Sequence, residues 1–209
     1  TIHLPRQSHW ISGLHFHIQH TEYLRLIKGA IFIRRGDLIK IISTKEADRS
    51  GRWGNSVIKI DPYVRHNWGR AEHYFCHVIV EEWTTPSDIS KPLFFWNLNG
   101  ILTSSSPPPT TFFQRLARTL LGTNYITLQL FVVFRTLDNF PIFLDLGAVG
   151  DGVWIRGTVA KNTARGVEFG LTYLVLVIAA AVGWLVGFKA VGEERTPGDL
   201  WEAWRKEGR

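Results

Sequence analysis

The sequence predicts a mainly β fold, an antiparallel sandwich or barrel, followed by helices towards the C-terminus. Three observations carry this. Residues 14–82 hold short runs rich in Ile, Val, Leu and aromatics, separated by glycines, prolines and polar turns. From Phe112 onward, apolar residues recur at helical spacing. Phe169–Phe188 then runs for 20 residues without a charge.

Taken in order, strands are expected at Tyr23–Ile27, Ala30–Ile33, Leu38–Ile42, Val57–Ile60 and His77–Val80. Gly36-Asp37 lies between two apolar runs and reads as a hairpin turn. A polar loop spans Thr44–Asn55, and Pro62 ends the strand before it. Trp83–Asn99, with Pro86 and Pro92, reads as irregular, and Ser104–Pro109 as a stiff extended linker. Phe112–Asp145 reads as one or two helices ending near Pro141, and the glycine-rich Gly147–Gly166 as loop. The uncharged stretch has the length of a bilayer-spanning helix, with Tyr173 and Trp184 towards its ends. A helix buried on the domain is the competing reading, and similar positive charge on both flanks leaves the orientation open. Thr196–Arg209 reads as a short amphipathic helix with Pro197 in its first turn. The expected divisions are 1–103 for the β domain, 104–166 for linker and packing helices, 167–189 for the hydrophobic helix and 190–209 for the polar tail.

Composition narrows the classes. With 209 residues, 45% hydrophobic and 20% charged, the chain is no disordered tail and can bury a sizeable core. The single cysteine, Cys76, excludes an intramolecular disulfide framework and a cysteine-built zinc site. The net charge of +6 resides wholly in residues 1–80, which hold 12 Lys+Arg against 6 Asp+Glu. That suits a solvated basic surface, or attraction to an acidic ligand or an anionic membrane. No basic helix, zinc-finger spacing or aromatic RNA-binding motif is present, so no nucleic-acid partner is expected. The chain opens at Thr1 and has no methionine, which predicts a native N-terminus further upstream that adds an edge strand or more.

The chemistry is signalled by histidine. Five of the eight histidines fall in the first 20 residues. Within them, His15-Phe-His17-Ile-Gln-His20-Thr-Glu22 is followed by six residues and Gly29. In a strand His15 and His17 project from one face. Glu22 has the opposite parity, so a turn or bulge around Gln19–Thr21 is needed for the three to converge. Leu24 and Leu26 share Glu22's face, which puts the carboxylate on the apolar side, where it calls for a partner or a metal. Two imidazoles, a carboxylate and a further imidazole from a distant strand make a divalent-metal site with open positions. His66 is the natural fourth member. His20 is a rival, either replacing Glu22 or His15 or orienting a ligand from behind. Tyr63, Arg65, Trp68 and Arg70 are candidates to touch a substrate, arginine being suited to carboxylates and phosphates. Each of these four has surface packing as its plainer reading.

At these residues the sequence resembles the cupin superfamily. His15, His17, Glu22 and Gly29 match the spacing of its first motif, and Pro62 with His66 matches the second. Two glycines of the pattern are missing: His9 stands where the first motif begins, and Tyr63–Arg65 replace the turn of the second. That match covers roughly residues 3–82. More narrowly, HxHxxHTEY (His15–Tyr23), PYVRHNWGRA (Pro62–Ala71), EEWTTP (Glu81–Pro86), KPLFFWNLNG (Lys91–Gly100), LDNFP (Leu137–Pro141) and the apolar helix before GFKAV look like fungal RmlC-type cupins with a C-terminal hydrophobic segment. The resemblance implies a cupin-type antiparallel jelly-roll barrel and one divalent metal ion (Fe, Mn, Ni or Zn) on His15, His17, Glu22 and His66. It also implies a secondary-metabolite tailoring step, such as cyclisation, isomerisation or oxygenation, on an oxygenated small molecule. A membrane partner through residues 169–188 and a homodimer belong to the same expectation. The alternative is a non-catalytic small-molecule-binding or sensor cupin attached to a membrane. A metal-independent sugar-epimerase-like reaction comes third, since no aspartate can be assigned to its acid–base pair.

Overall fold

The computed structural model describes residues 1–44, 57–74, 76–103, 111–146 and 158–207. The expected loop Thr44–Asn55 beyond its first residue, the Ser104–Pro109 linker and most of Gly147–Gly166 lie outside them. The chain divides into two compact units, one of Thr1–Ser87 with Pro141–Glu168, the other of Asp88–Phe140 with Phe169–Arg209.

The first unit is antiparallel β. Its strands are β1 (Ile2–Leu4), β2 (His15–Phe16), β3 (Thr21–Lys28), β4 (Ala30–Arg35), β5 (Leu38–Ser43), β6 (Val57–Ile60), β7 (His66–Arg70) and β8 (Val78–Thr85). One sheet has the order β1-β8-β3-β6; the other has β5-β4-β7-β2, with the two-residue β9 (Phe140–Pro141) at its edge. No closed barrel forms among the described residues, so the sheets stand as two antiparallel layers. Their inner faces share one apolar core. Leu24, Leu26, Ile60, Val78 and Val80 come from the first sheet, and Ile31, Ile33 and Trp68 from the second. On β3 the alternation is strict: Glu22, Leu24 and Leu26 are buried while Tyr23 and Arg25 are not.

Two turns fix the register. Gly36-Asp37 closes a two-residue hairpin in which Arg35 pairs with Leu38, and Gly36 has φ +63°. Gly29 alone joins β3 of one sheet to β4 of the other, at φ +95°. A Cβ there would stand 2.6 Å from the His77 carbonyl oxygen. Both the backbone angle and the lack of space exclude a side chain. Gly29→Ala is therefore expected to destabilise the unit by at least about 1–3 kcal/mol from backbone strain alone. Thermal unfolding measures it, and an unchanged Tm would contradict this placement.

The second unit is helical. It contains α1 (Ser90–Thr103), α2 (Phe112–Leu121), α3 (Asn124–Thr136), the C-terminal part of α4 (Thr158–Val186), a 3-10 turn at Glu193–Arg195 and α5 (Gly198–Lys206). The region read as irregular thus contains a helix. Asp88 caps it, accepting from the Ser90 backbone N–H at 2.9 Å and its hydroxyl at 3.0 Å. Pro92 lies in the first turn, where no intrahelical N–H is needed. The strand before it runs on to Thr85. The expected helices between Phe112 and Pro141 are two, and α4 begins at Thr158, inside the stretch read as loop. Leu93, Phe94, Ile101, Val133, Leu137, Val191 and Trp204 form this unit's core.

Candidate metal centre

The four side chains singled out by spacing come together. β2 pairs with β7 at His15 opposite His66, in one sheet. The chain then bends at Ile18–Gln19 and crosses to the other sheet, where Glu22 points inward from β3. This is the break that the opposite parity of Glu22 required. His15, His17, Glu22 and His66 are all buried, and each offers a ligand atom within 4.8 Å of the others. Ring centroids lie 4.1 Å apart for His15–His66, 5.0 Å for His15–His17 and 5.3 Å for His17–His66.

The donor set fits a divalent cation. His66 Nδ1 lies 2.8 Å from the Val64 carbonyl and His15 Nδ1 lies 2.9 Å from that of Gly13, so each Nδ1 carries the proton and donates it. In the neutral ring this tautomer gives Nε2 the lone pair, the form in which imidazole binds a metal. His66 Nε2 is fully buried, makes no hydrogen bond and stands 3.3 Å from Glu22 Oε1. His17 Nε2 lies 3.1 Å from Glu22 Oε2. Adjacent ligands about 2.1 Å from one cation at right angles are about 3.0 Å apart, so these separations are close to those of a coordination shell. Burial, and then the proximity of His66 and His17, lower the His15 pKa well below its ordinary value despite the opposing pull of Glu22. His15 is therefore neutral near pH 7, as a ligand must be.

The other candidates fall elsewhere. His20 is buried but is not one of the four convergent donors. Trp68 is a core residue, 1% exposed, on the same face of β7 as His66, with its ring edge-on to Trp10 at 5.0 Å. Tyr63 occupies a left-handed turn at φ +62°, more than half exposed, with its ring stacked on Phe16. Arg70 donates to the Ser8 and Tyr74 carbonyls and lines a separate open pocket of ≈ 290 Å³ with His9, Trp10, Glu72 and His73.

Arg65 is spoken for by carboxylates of the protein itself. It is 3% exposed, and its Nη1 donates to Asp145 at 2.9 Å and to both oxygens of Glu168 at 2.9 and 3.0 Å. Its Nη2 donates to Asp37. Arg34 pairs with Asp145, and Arg165 with Asp37 at 2.9 Å. Burial would raise the Asp37 carboxyl pKa, but hydrogen bonds and charge from Arg65 and Arg165 outweigh it and hold it below the usual range. The folded pKa is thus below the unfolded one. Asp37 contributes stability at neutral pH, and that contribution is lost as acid takes the pH down through the folded value. No spacing in the sequence joins residues 37, 65, 145 and 168, so this network could not be read from it.

Compared with family models, curated proteins and solved structures, the chain matches none.

Proposed function

We propose that the protein is a metal-binding, jelly-roll-type protein of the cupin kind that holds one divalent ion and acts on an oxygenated small molecule near a membrane. The observation that carries this reading is the convergence of His15, His17, Glu22 and His66 from two sheets into one buried cluster. Those four would hold the ion, and four protein donors leave positions open for a ligand. Bound there, a divalent metal supplies Lewis acidity towards a ligand oxygen, or redox capacity if it is iron. The chain's own residues do the rest. The Gly13 and Val64 carbonyls hold the His15 and His66 rings by their Nδ1 protons. The apolar residues Leu24, Ile60 and Trp68 of the two-sheet core keep the surroundings of low polarity. Cyclisation, isomerisation and oxygenation of a secondary metabolite are the reactions this reading favours.

Membrane attachment is supported by α4. Lys161–Val186 is long and apolar enough to cross a bilayer, yet only 22% of its most apolar stretch is buried. The buried positions Thr172, Leu176, Ala179 and Gly183 form one stripe, whereas Leu174, Ile178, Trp184 and Leu185 are exposed. A soluble core helix would be covered on more than one side.

The test is incubation of the metal-loaded full chain with a metabolite extract. A product that forms only with metal, and is lost in His15→Ala/His17→Ala, supports an enzyme. A compound retained without conversion favours the second reading, a membrane-attached sensor, which the two missing motif glycines also favour. Neither conversion nor retention would overturn both.

A further inference from the structure

The exposed apolar side of α4 has a neighbour. In α2, Phe112, Phe113, Leu116 and Leu120 are 71%, 61%, 44% and 74% exposed. At helical spacing these four share an arc of about 100°, and Arg115, Arg118 and Thr119 lie outside it. The helix is firmly started: Thr111 Oγ1 accepts from the Gln114 N–H at 3.1 Å and Gln114 Oε1 accepts from the Thr111 N–H at 3.4 Å. Gln114 Nε2 also donates to the Gly187 carbonyl at 3.4 Å. The first turn of α2 therefore sits at the C-terminal end of α4, next to the exposed Trp184 and Leu185.

The depth of this arrangement is set by α3. It runs antiparallel to α4 along the uncharged stretch. Tyr125 packs edge-on to Phe188 at 5.0 Å. A Cβ on Gly183 would stand 2.4 Å from a methyl of Val132. The Arg135 guanidinium lies 5.1 Å over the Tyr173 ring. Val133, next to that contact, shares a core with Leu93 and Phe94 of α1 and Trp204 of α5. On α5, Asp199, Glu202, Arg205 and Lys206 are exposed. A bilayer crossed by α4 would take these charges in at hydrocarbon depth, where they are strongly disfavoured.

We infer that the chain binds a membrane from one side, lying in the interface with the exposed arc of α2 and the outer face of α4 embedded, and does not pass α4 through the bilayer. The inference rests on the membrane reading above. It is the mode of amphipathic helices with one apolar face and basic flanks. The favoured lipid is anionic. Residues 112–136 and 169–192 carry Arg115, Arg118, Arg135 and Lys189 and no Asp or Glu. A second copy of this chain would bring the same cations against one another, so charge complementarity selects headgroups.

The experiment uses the full chain with preformed vesicles. Flotation with phosphatidylcholine/phosphatidylserine vesicles is expected, weaker with phosphatidylcholine alone. Phe112→Ser/Phe113→Ser/Leu120→Ser alters only exposed positions and is expected to keep its circular dichroism and lose flotation at least tenfold. Sidedness is read in a Cys76→Ser background carrying Lys161→Cys or Lys189→Cys, with a membrane-impermeant maleimide added outside. Both cysteines are expected to react. Failure of the parent chain to float overturns the membrane reading itself. Flotation with only one end reactive overturns the in-plane inference and leaves that reading standing, as does flotation unaffected by the α2 substitutions. A soluble dimer that ignores vesicles would give the surface to a second copy and overturn both.

Discussion

Arg65→Met is expected to lower the stability of the β unit by about 3–5 kcal/mol, the range for removing one partner of a buried ion pair. The reason is what it leaves behind. Glu168 is 1% exposed, and Arg65 Nη1 donates to both of its carboxylate oxygens. The Arg34–Asp145 and Arg165–Asp37 pairs are partly exposed, whereas Arg65 and Glu168 are both buried, so the loss of that pair carries the largest penalty. For a chain of this size the Tm falls on the order of 10 °C. Arg65→Lys keeps the charge but not the fork that reaches three carboxylates, and is expected to fall between the two. Arg65→Met/Glu168→Gln removes both charges of the buried pair and is expected to regain much of the loss. Thermal unfolding of the parent, Arg65→Met, Glu168→Gln and the double variant closes the cycle, and additive effects would contradict the network.

Glu22→Gln is expected to act in opposite directions on the two states of the site. Glu22 is 0% exposed, and an ionised carboxylate at that depth is costly without a cation. The amide preserves the shape and removes the charge. Without metal, the variant should be as stable as the parent or more so. With metal, it should lose the stabilisation that the parent gains, which at 100 times Kd is about 2.7 kcal/mol. Melting curves with and without added divalent ion measure both halves. A variant that is weaker without metal, yet still raised by it, would mean that Glu22 serves the fold and not the ion.

What the sequence made legible is what short-range rules govern. The alternation in β3 placed Glu22 inside with Leu24 and Leu26, because a strand has a period of two and only one face is buried. The glycine at 36 marked a hairpin whose turn requires positive φ. The spacing of His15, His17 and Glu22, together with His66, named the four donors that the structure brings together. Other features were set by distant contacts. β7, HNWGR, holds few β-formers and is a strand because β4 and β2 pair with it on both sides. Beside His66, Trp68 is packed in the core, and Arg65 meets carboxylates from positions 37, 145 and 168, which no local pattern connects. α1 was hidden by Pro86 and Pro92, although Asp88 followed by a first-turn proline is a helix-start signal.

Metal content decides whether His15, His17, Glu22 and His66 form a metal centre. The full chain, purified without chelator, supplied with a mixture of Fe, Mn, Ni and Zn and then dialysed, is analysed for its elements beside His15→Ala/His17→Ala. About one divalent ion per chain is expected in the parent and a loss of at least tenfold in the variant, with its fold checked by circular dichroism. No bound metal in the parent, or unchanged metal in the double variant, would contradict a metal centre there.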